Sequence, residues 1–152
     1  MWAVESAAAR PVAIYQLDLE TRTVSKVPGS EGLFSPRWSP DGTYLAAVSS
    51  DSQKLVLFDF TTGSWSDLAR GGVSFPRWSR DSKYICWDGL GDDAFVSRLR
   101  IADHVVEHVA SLHNLEKTGV MGAWAGLAPD GAPLLLRFAH AEEIYALDLS
   151  LP

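Results

Sequence analysis

The sequence predicts an all-β protein, a β-propeller of four-stranded antiparallel blades with about three and a half blades present. Three observations carry this. Pro36-Arg37-Trp38-Ser39-Pro40-Asp41-Gly42 returns as Pro76-Arg77-Trp78-Ser79-Arg80-Asp81-Ser82, 40 residues later, and a fixed period near 40 is the mark of one propeller blade per repeat. The period persists beyond the phrase: Asp18 to Asp59 is 41 residues and Asp59 to Arg100 is again 41. The apolar runs are short, rich in β-branched and aromatic residues and closed by turn residues, with no long 3.6-residue rhythm.

The elements follow in order. In the N-terminal unit, Trp2–Ser6, Val12–Leu19 and Thr23–Val27 read as strands two, three and four, with Glu20-Thr21-Arg22-Thr23 as the last turn. In the next unit Phe34–Trp38 is the innermost strand. Ser39-Pro40-Asp41-Gly42 follows as a turn in which Pro sets φ, Asp bonds the local backbone and Gly accepts positive φ. Thr43–Ser49 and Lys54–Phe60 are the middle strands, and Thr61-Thr62-Gly63-Ser64 leads to the outermost strand, Trp65–Ala69. The following unit repeats this with Tyr84–Trp87 and Phe95–Ile101. A third copy of the phrase, Leu127-Ala128-Pro129-Asp130-Gly131, precedes Leu134–Phe138 and Ile144–Leu149. Arg100 to Asp148 is 48 residues, which predicts an insertion around 113–121.

The whole chain therefore reads as one partial propeller domain, 1–152, with blade units at about 1–28, 33–70, 73–110 and 119–149. The first unit lacks strand one and the last lacks strand four, so the two ends overlap and do not complement each other. The expectation is a fragment of a larger ring, or a half-ring pairing with another chain. Its partners would then be the remaining blades of the parent propeller or a second copy. Unpaired strand edges would otherwise invite aggregation.

The 47% hydrophobic and 21% charged content suits a soluble globular domain. A net charge of −6 argues against nucleic-acid binding by this segment, which needs a basic patch. Cys86 is the only cysteine, so no internal disulfide forms and the redox compartment stays open. There is no apolar run of 18 residues and no signal-peptide pattern after Met1, so no membrane contact by this segment is expected. Both absences leave the compartment of any longer parent undetermined.

The unit of strand, Trp38-Ser39-Pro40-Asp41-Gly42, Tyr44-Leu45-Ala46, and a strand ending Phe58-Asp59-Phe60-Thr61-Thr62-Gly63 resembles the TolB-type propeller repeat, also called the WD40-like Pro-Asp repeat. Trp78 to Ser82 is a degenerate copy, with Arg80 for Pro and Ser82 for Gly, and Leu127 stands where the third copy should have Trp. The repeat-signature residues are thus Trp38, Pro40, Asp41, Gly42, Trp78, Asp81, Pro129, Asp130 and Gly131. The tail from Gly126 to Arg137, closing in Asp148-Leu149-Ser150-Leu151-Pro152, resembles the C-terminus of large acidobacterial proteins. In those, such a propeller follows a winged-helix DNA-binding domain of the CadC or OmpR type, or a serine/threonine kinase domain. This likeness implies the C-terminal half of a propeller with an effector domain upstream.

Catalytic templates fail. There is no Gly-x-Ser-x-Gly elbow, phosphate-binding Gly-x-x-x-x-Gly-Lys loop or His-Glu-x-x-His, and no catalytic residue, cofactor or metal site is assigned. His104, His108, His113 and His140 read as solvated loop histidines, the first two bracketing a strand pair around a turn. Gly89-Leu90-Gly91-Asp92-Asp93 reads as a hairpin and not a calcium loop. Asp41, Asp81 and Asp130 occupy equivalent turns, where backbone capping explains them better than a carboxylate ring. Phe34, Trp38, Phe58, Trp65, Phe75, Trp78, Trp87 and Tyr145 read as core between blades.

Arg37 and Arg77 are the residues left over. They share one place on the innermost strand, beside Trp38 and Trp78, and side chains alternate along a strand. They are candidate channel-lining or partner-binding cations for an anionic ligand or acidic peptide, in a ring broken at Gly126. The alternative is that each bonds neighbouring blade carbonyls or a turn Asp. The expected function is a non-catalytic module binding a protein or ligand, the sensor or scaffold part of a bacterial signalling or transcriptional regulatory protein. The competing expectations are the accessory propeller of a prolyl-oligopeptidase-type peptidase and a periplasmic envelope protein of the TolB kind.

Overall fold

A computed structural model describes residues 12–90, 95–112 and 125–135. Twelve strands and no helix occur among them. β1 (Tyr15–Leu17) and β2 (Val24–Lys26) form a hairpin. β3 (Leu33–Trp38), β4 (Tyr44–Ser49), β5 (Lys54–Asp59) and β6 (Ser64–Arg70) form one four-stranded sheet. β7 (Val73–Trp78), β8 (Tyr84–Gly89), β9 (Phe95–Arg100) and β10 (Val106–Ser111) form the next, and β11 (Ala125–Leu127) pairs with β12 (Pro133–Leu135). Every pairing joins consecutive strands and is antiparallel. These are the up-and-down meanders of propeller blades, and the chain has the all-β propeller architecture, open and partial as described.

The predicted elements of the two complete blades fall within two residues of the observed ones. The N-terminal hairpin is shorter than expected: only Tyr15–Leu17 of the predicted Val12–Leu19 pairs as strand. Trp2–Ser6, the residue 113–121 insertion, most of the Gly89–Asp93 loop and Ile144–Leu149 lie outside the described residues. The histidine pair differs from expectation. The turn is Ile101-Ala102-Asp103-His104, closed by His104 at a φ of 58°, and Val106–Glu107 already belong to β10, which carries His108.

Alternation along the middle strands organises the core. Leu45 and Ala47 of β4, with Val56 and Phe58 of β5, face the first hairpin and pack on Ile14 and Val27. Ala46, Val48, Leu55 and Leu57 face the opposite way. With Leu68 they meet Val73, Ile85, Trp87 and Leu99 of the next sheet. Because both faces are covered, β4 and β5 are buried over four consecutive residues each. Each fully buried Leu or Val stabilises by about 1.5–3 kcal/mol relative to exposure.

Both innermost strands bend at the same step. Ser35 and Phe75 adopt positive φ, 53° and 49°, where the register shifts between Phe34 and Arg37 and between Ser74 and Arg77. Each precedes a proline. A proline cannot donate to a sheet ladder, so it belongs at such a bulge.

Candidate functional site

The signature turns are closed by their own side chains. Ser39 Oγ donates to Asp41 Oδ1 at 2.6 Å and accepts the Tyr44 N–H, while the Thr43 N–H donates to Asp41 Oδ1 at 3.0 Å. Ser79, Asp81, Lys83 and Tyr84 repeat the arrangement. In the third copy Asp130 accepts the Ala132 N–H at 3.0 Å, and Ala128 removes the serine. The bond from Ser39 is the largest of the effects that hold the Asp41 carboxyl below the usual carboxylate range, and the bond from Ser79 does the same for Asp81. All three carboxylates bond their own turns.

Gly42 and Gly131 take φ of 75° and 85°, the left-handed region that favours glycine. Ser82 holds φ 59° at the same place. The structure supplies a reason for the serine: its Oγ accepts the Asp41 N–H at 3.1 Å and so ties two turns together. A second tie runs between the innermost strands, where Trp78 Nε1 donates to the Arg37 carbonyl at 2.9 Å. Trp78 also stacks beside Tyr44, centroids 6.3 Å apart.

Arg37 and Arg77 diverge. Arg77 Nη2 lies 2.6 Å from Asp88 Oδ1, with the two side chains 13% and 3% exposed. Asp88 of β8 is the repeat equivalent of Val48 of β4, so the first sheet offers Arg37 no such carboxylate. Arg37 Nη1 donates to the Pro36 carbonyl of its own strand, and the residue is exposed. Among the described residues, the Arg37 side chain bonds neither a neighbouring blade nor a turn Asp. Trp38 and Phe34, expected in the core, are 51% and 39% exposed beside Arg37, although Trp38 stacks on Phe60 at 4.5 Å. Phe58, Trp65, Trp78 and Trp87 do pack in or against the clusters between sheets; Tyr145 lies outside the described residues.

A cavity of about 600 Å³ opens between the far face of the second sheet and the β11–β12 hairpin. Tyr84, Cys86, Val96 and Arg98 form its floor, and Leu127 and Pro129 its opposite wall. The Arg98 guanidinium carbon sits 4.9 Å from the Tyr84 ring centroid, and Arg98 pairs with Glu107 at 2.6 Å. Burial pushes the Cys86 thiol up, against the opposing pull of Arg77 and Arg98. Among the described residues, no group of three or more His, Cys, Asp or Glu could hold a metal ion.

The fold defines the class, an open β-propeller. No family model matches the chain and no curated protein matches it. Solved structures do. TolB from Acinetobacter baumannii is 23% identical, with a TM-score of 0.62, over 90% of this chain and 40% of that one. The β-propeller domain of the Trilobed protease from Pyrococcus furiosus, which has an open velcro topology, is 18% identical, with a TM-score of 0.58, over 78% and 38%. An oligogalacturonate lyase solved in complex with manganese is 19% identical, also at 0.58, over 80% and 39%. The chain spans less than half the length of each, and the likeness is one of fold.

Proposed function

We propose that this chain is a non-catalytic part of a propeller that binds an acidic peptide or protein segment at the innermost strand around Arg37. The carrying observation is the contrast between two equivalent arginines. Asp88 neutralises Arg77 in a buried pair, whereas Arg37 forms no ion pair among the described residues and is exposed, on a strand whose Phe34 and Trp38 are exposed too, Trp38 on the opposite face from Arg37. Exposed Arg and aromatic side chains together are the residue types that dominate binding hot spots. Arg77 then acts in positioning the strand and Arg37 in contacting the partner. The ring is completed by further blades of the parent or by a second copy. The parent is a bacterial signalling or transcriptional regulatory protein with the propeller as its sensor or scaffold.

The test is the binding of a fluorescein-labelled Glu-rich peptide, with a Lys-rich peptide as control, to the 152-residue chain. The acidic peptide should bind in a salt-sensitive way, and Arg37→Glu should weaken it about tenfold or more. Equal affinity of the variant, or equal binding of both peptides, rejects the reading. A second reading, the accessory propeller of a peptidase, is favoured by the likeness to the Trilobed protease propeller. A Gly-x-Ser-x-Gly hydrolase segment encoded in frame with this chain would select it.

A further inference from the structure

We propose that the cavity between the second four-stranded sheet and the β11–β12 hairpin is a slot for an uncharged aromatic ring of indole size. The internal repeat says what such a gap normally holds. In the preceding gap, Ala46, Val48, Leu55, Leu57 and Leu68 present the far face of the first sheet. Trp78, from the next innermost strand, packs against that surface and beside Tyr44. One repeat on, the far face carries Cys86, Asp88, Val96, Arg98 and Val109, and the ring facing the gap is Tyr84. The residue in the place of Trp78 is Leu127. An indole has been replaced by a much smaller side chain, and the space remains as the cavity of about 600 Å³, within the range of small-molecule sites.

The lining fits a flat ring of low charge. Cys86 and Val96 line the cavity from the sheet side, which gives an apolar floor. Tyr84, one face of which Arg98 covers, offers an aromatic edge of the kind that packs against a second ring. Arg98 takes the place of Leu57, but its charge is spent on Glu107 and on the Tyr84 ring, so the floor holds no uncompensated cation for an anionic ligand. At the mouth, Asp81 and Asp130 are committed to their own turns, and the one further charge of the described lining, Arg80, stands exposed at the rim, away from the floor. This site is separate from the surface around Arg37 and does not depend on it.

The probe is indole, added to the 152-residue chain, with binding followed by calorimetry and by the alkylation rate of Cys86, the only cysteine and a wall of the slot. Indole should bind saturably, with a dissociation constant on the order of a millimolar or below, as a ligand this small allows. It should slow alkylation by the factor 1 + [L]/Kd. Leu127→Trp restores the repeat residue and should abolish binding while the melting temperature does not fall. If that variant does not fold, Val109→Phe, intruding from β10, should weaken indole by about fivefold or more by narrowing the slot. The proposal is overturned if indole does not bind the parent chain or if it binds the folded variants equally. It is also overturned if binding appears only after Trp124→Ala, because Trp124, outside the described residues, would then be the occupant.

Discussion

The Trp78 indole donates to the Arg37 carbonyl across 41 positions of sequence, at 2.9 Å. One side chain of the repeated phrase thereby holds the backbone of the previous copy. Two consecutive copies are needed for the bond to exist. Trp38, the equivalent residue, stacks on Phe60 of its own sheet and is half exposed. Trp78→Phe should therefore destabilise by about 1 kcal/mol, the worth of one hydrogen bond, while Trp38→Phe should stay within about 0.5 kcal/mol, as at an exposed site. Urea denaturation of the two variants checks the order.

Ser82 sets a backbone cost against a hydrogen bond. It stands at a φ of 59° and accepts the Asp41 N–H. Ser82→Ala keeps the unfavourable φ and loses the bond, so a loss of about 1 kcal/mol is expected. Ser82→Gly loses the same bond but removes a left-handed penalty of about 1–2 kcal/mol, which should leave it near the parent protein. Thermal melts that rank Ala at or above Gly would contradict this account.

The Arg77–Asp88 pair is a buried ion pair of the kind whose halves are costly to separate. Asp88→Val copies the first sheet but removes the carboxylate half of the buried pair, and a loss of about 3–5 kcal/mol is expected. Adding Arg77→Met should recover most of it, since an apolar pair of similar volume often matches a buried ion pair. A double-mutant cycle by chemical denaturation measures the coupling, and additive losses would reject it.

Acid should loosen the signature turns. The carboxyls of Asp41 and Asp81 lie below their ordinary values, chiefly through bonds from Ser39 and Ser79. A carboxyl whose folded value is depressed adds stability above its unfolded value, and loses it as pH falls through the folded one. The melting temperature should thus be steady near neutrality and fall below about pH 4. Asp41→Asn, which keeps an acceptor but does not titrate, should flatten that fall. An unchanged acid slope in Asp41→Asn would remove Asp41 from the explanation.

Much of the blade architecture was legible because the repeat carries local chemistry. A Ser-x-Asp-Gly turn closes through bonds spanning two to five residues, so its residue types suffice to read it. The continuous apolar runs of β4 and β5 likewise suit a sheet covered on both faces. The aromatic residues were harder: their types say only that they prefer burial. Phe34 and Trp38 are exposed because β3 is less covered than β7, which contacts β3, β4, β5 and β11.

By itself, the sequence determined the period, the strands, the turns and the equivalence of Arg37 with Arg77, because each depends on a residue and its near neighbours. Only the tertiary structure separated the two arginines. Asp88 lies on the next strand, 11 residues from Arg77, and its side chain turns to the same face only through the antiparallel register and the bulge after Phe75. The tertiary structure also gave Ser82 its partner 41 residues away and left a cavity where Leu127 replaces Trp. Those outcomes depend on which surfaces meet when one blade stacks on the next, and that is set by packing between repeats, beyond the reach of the pattern within one.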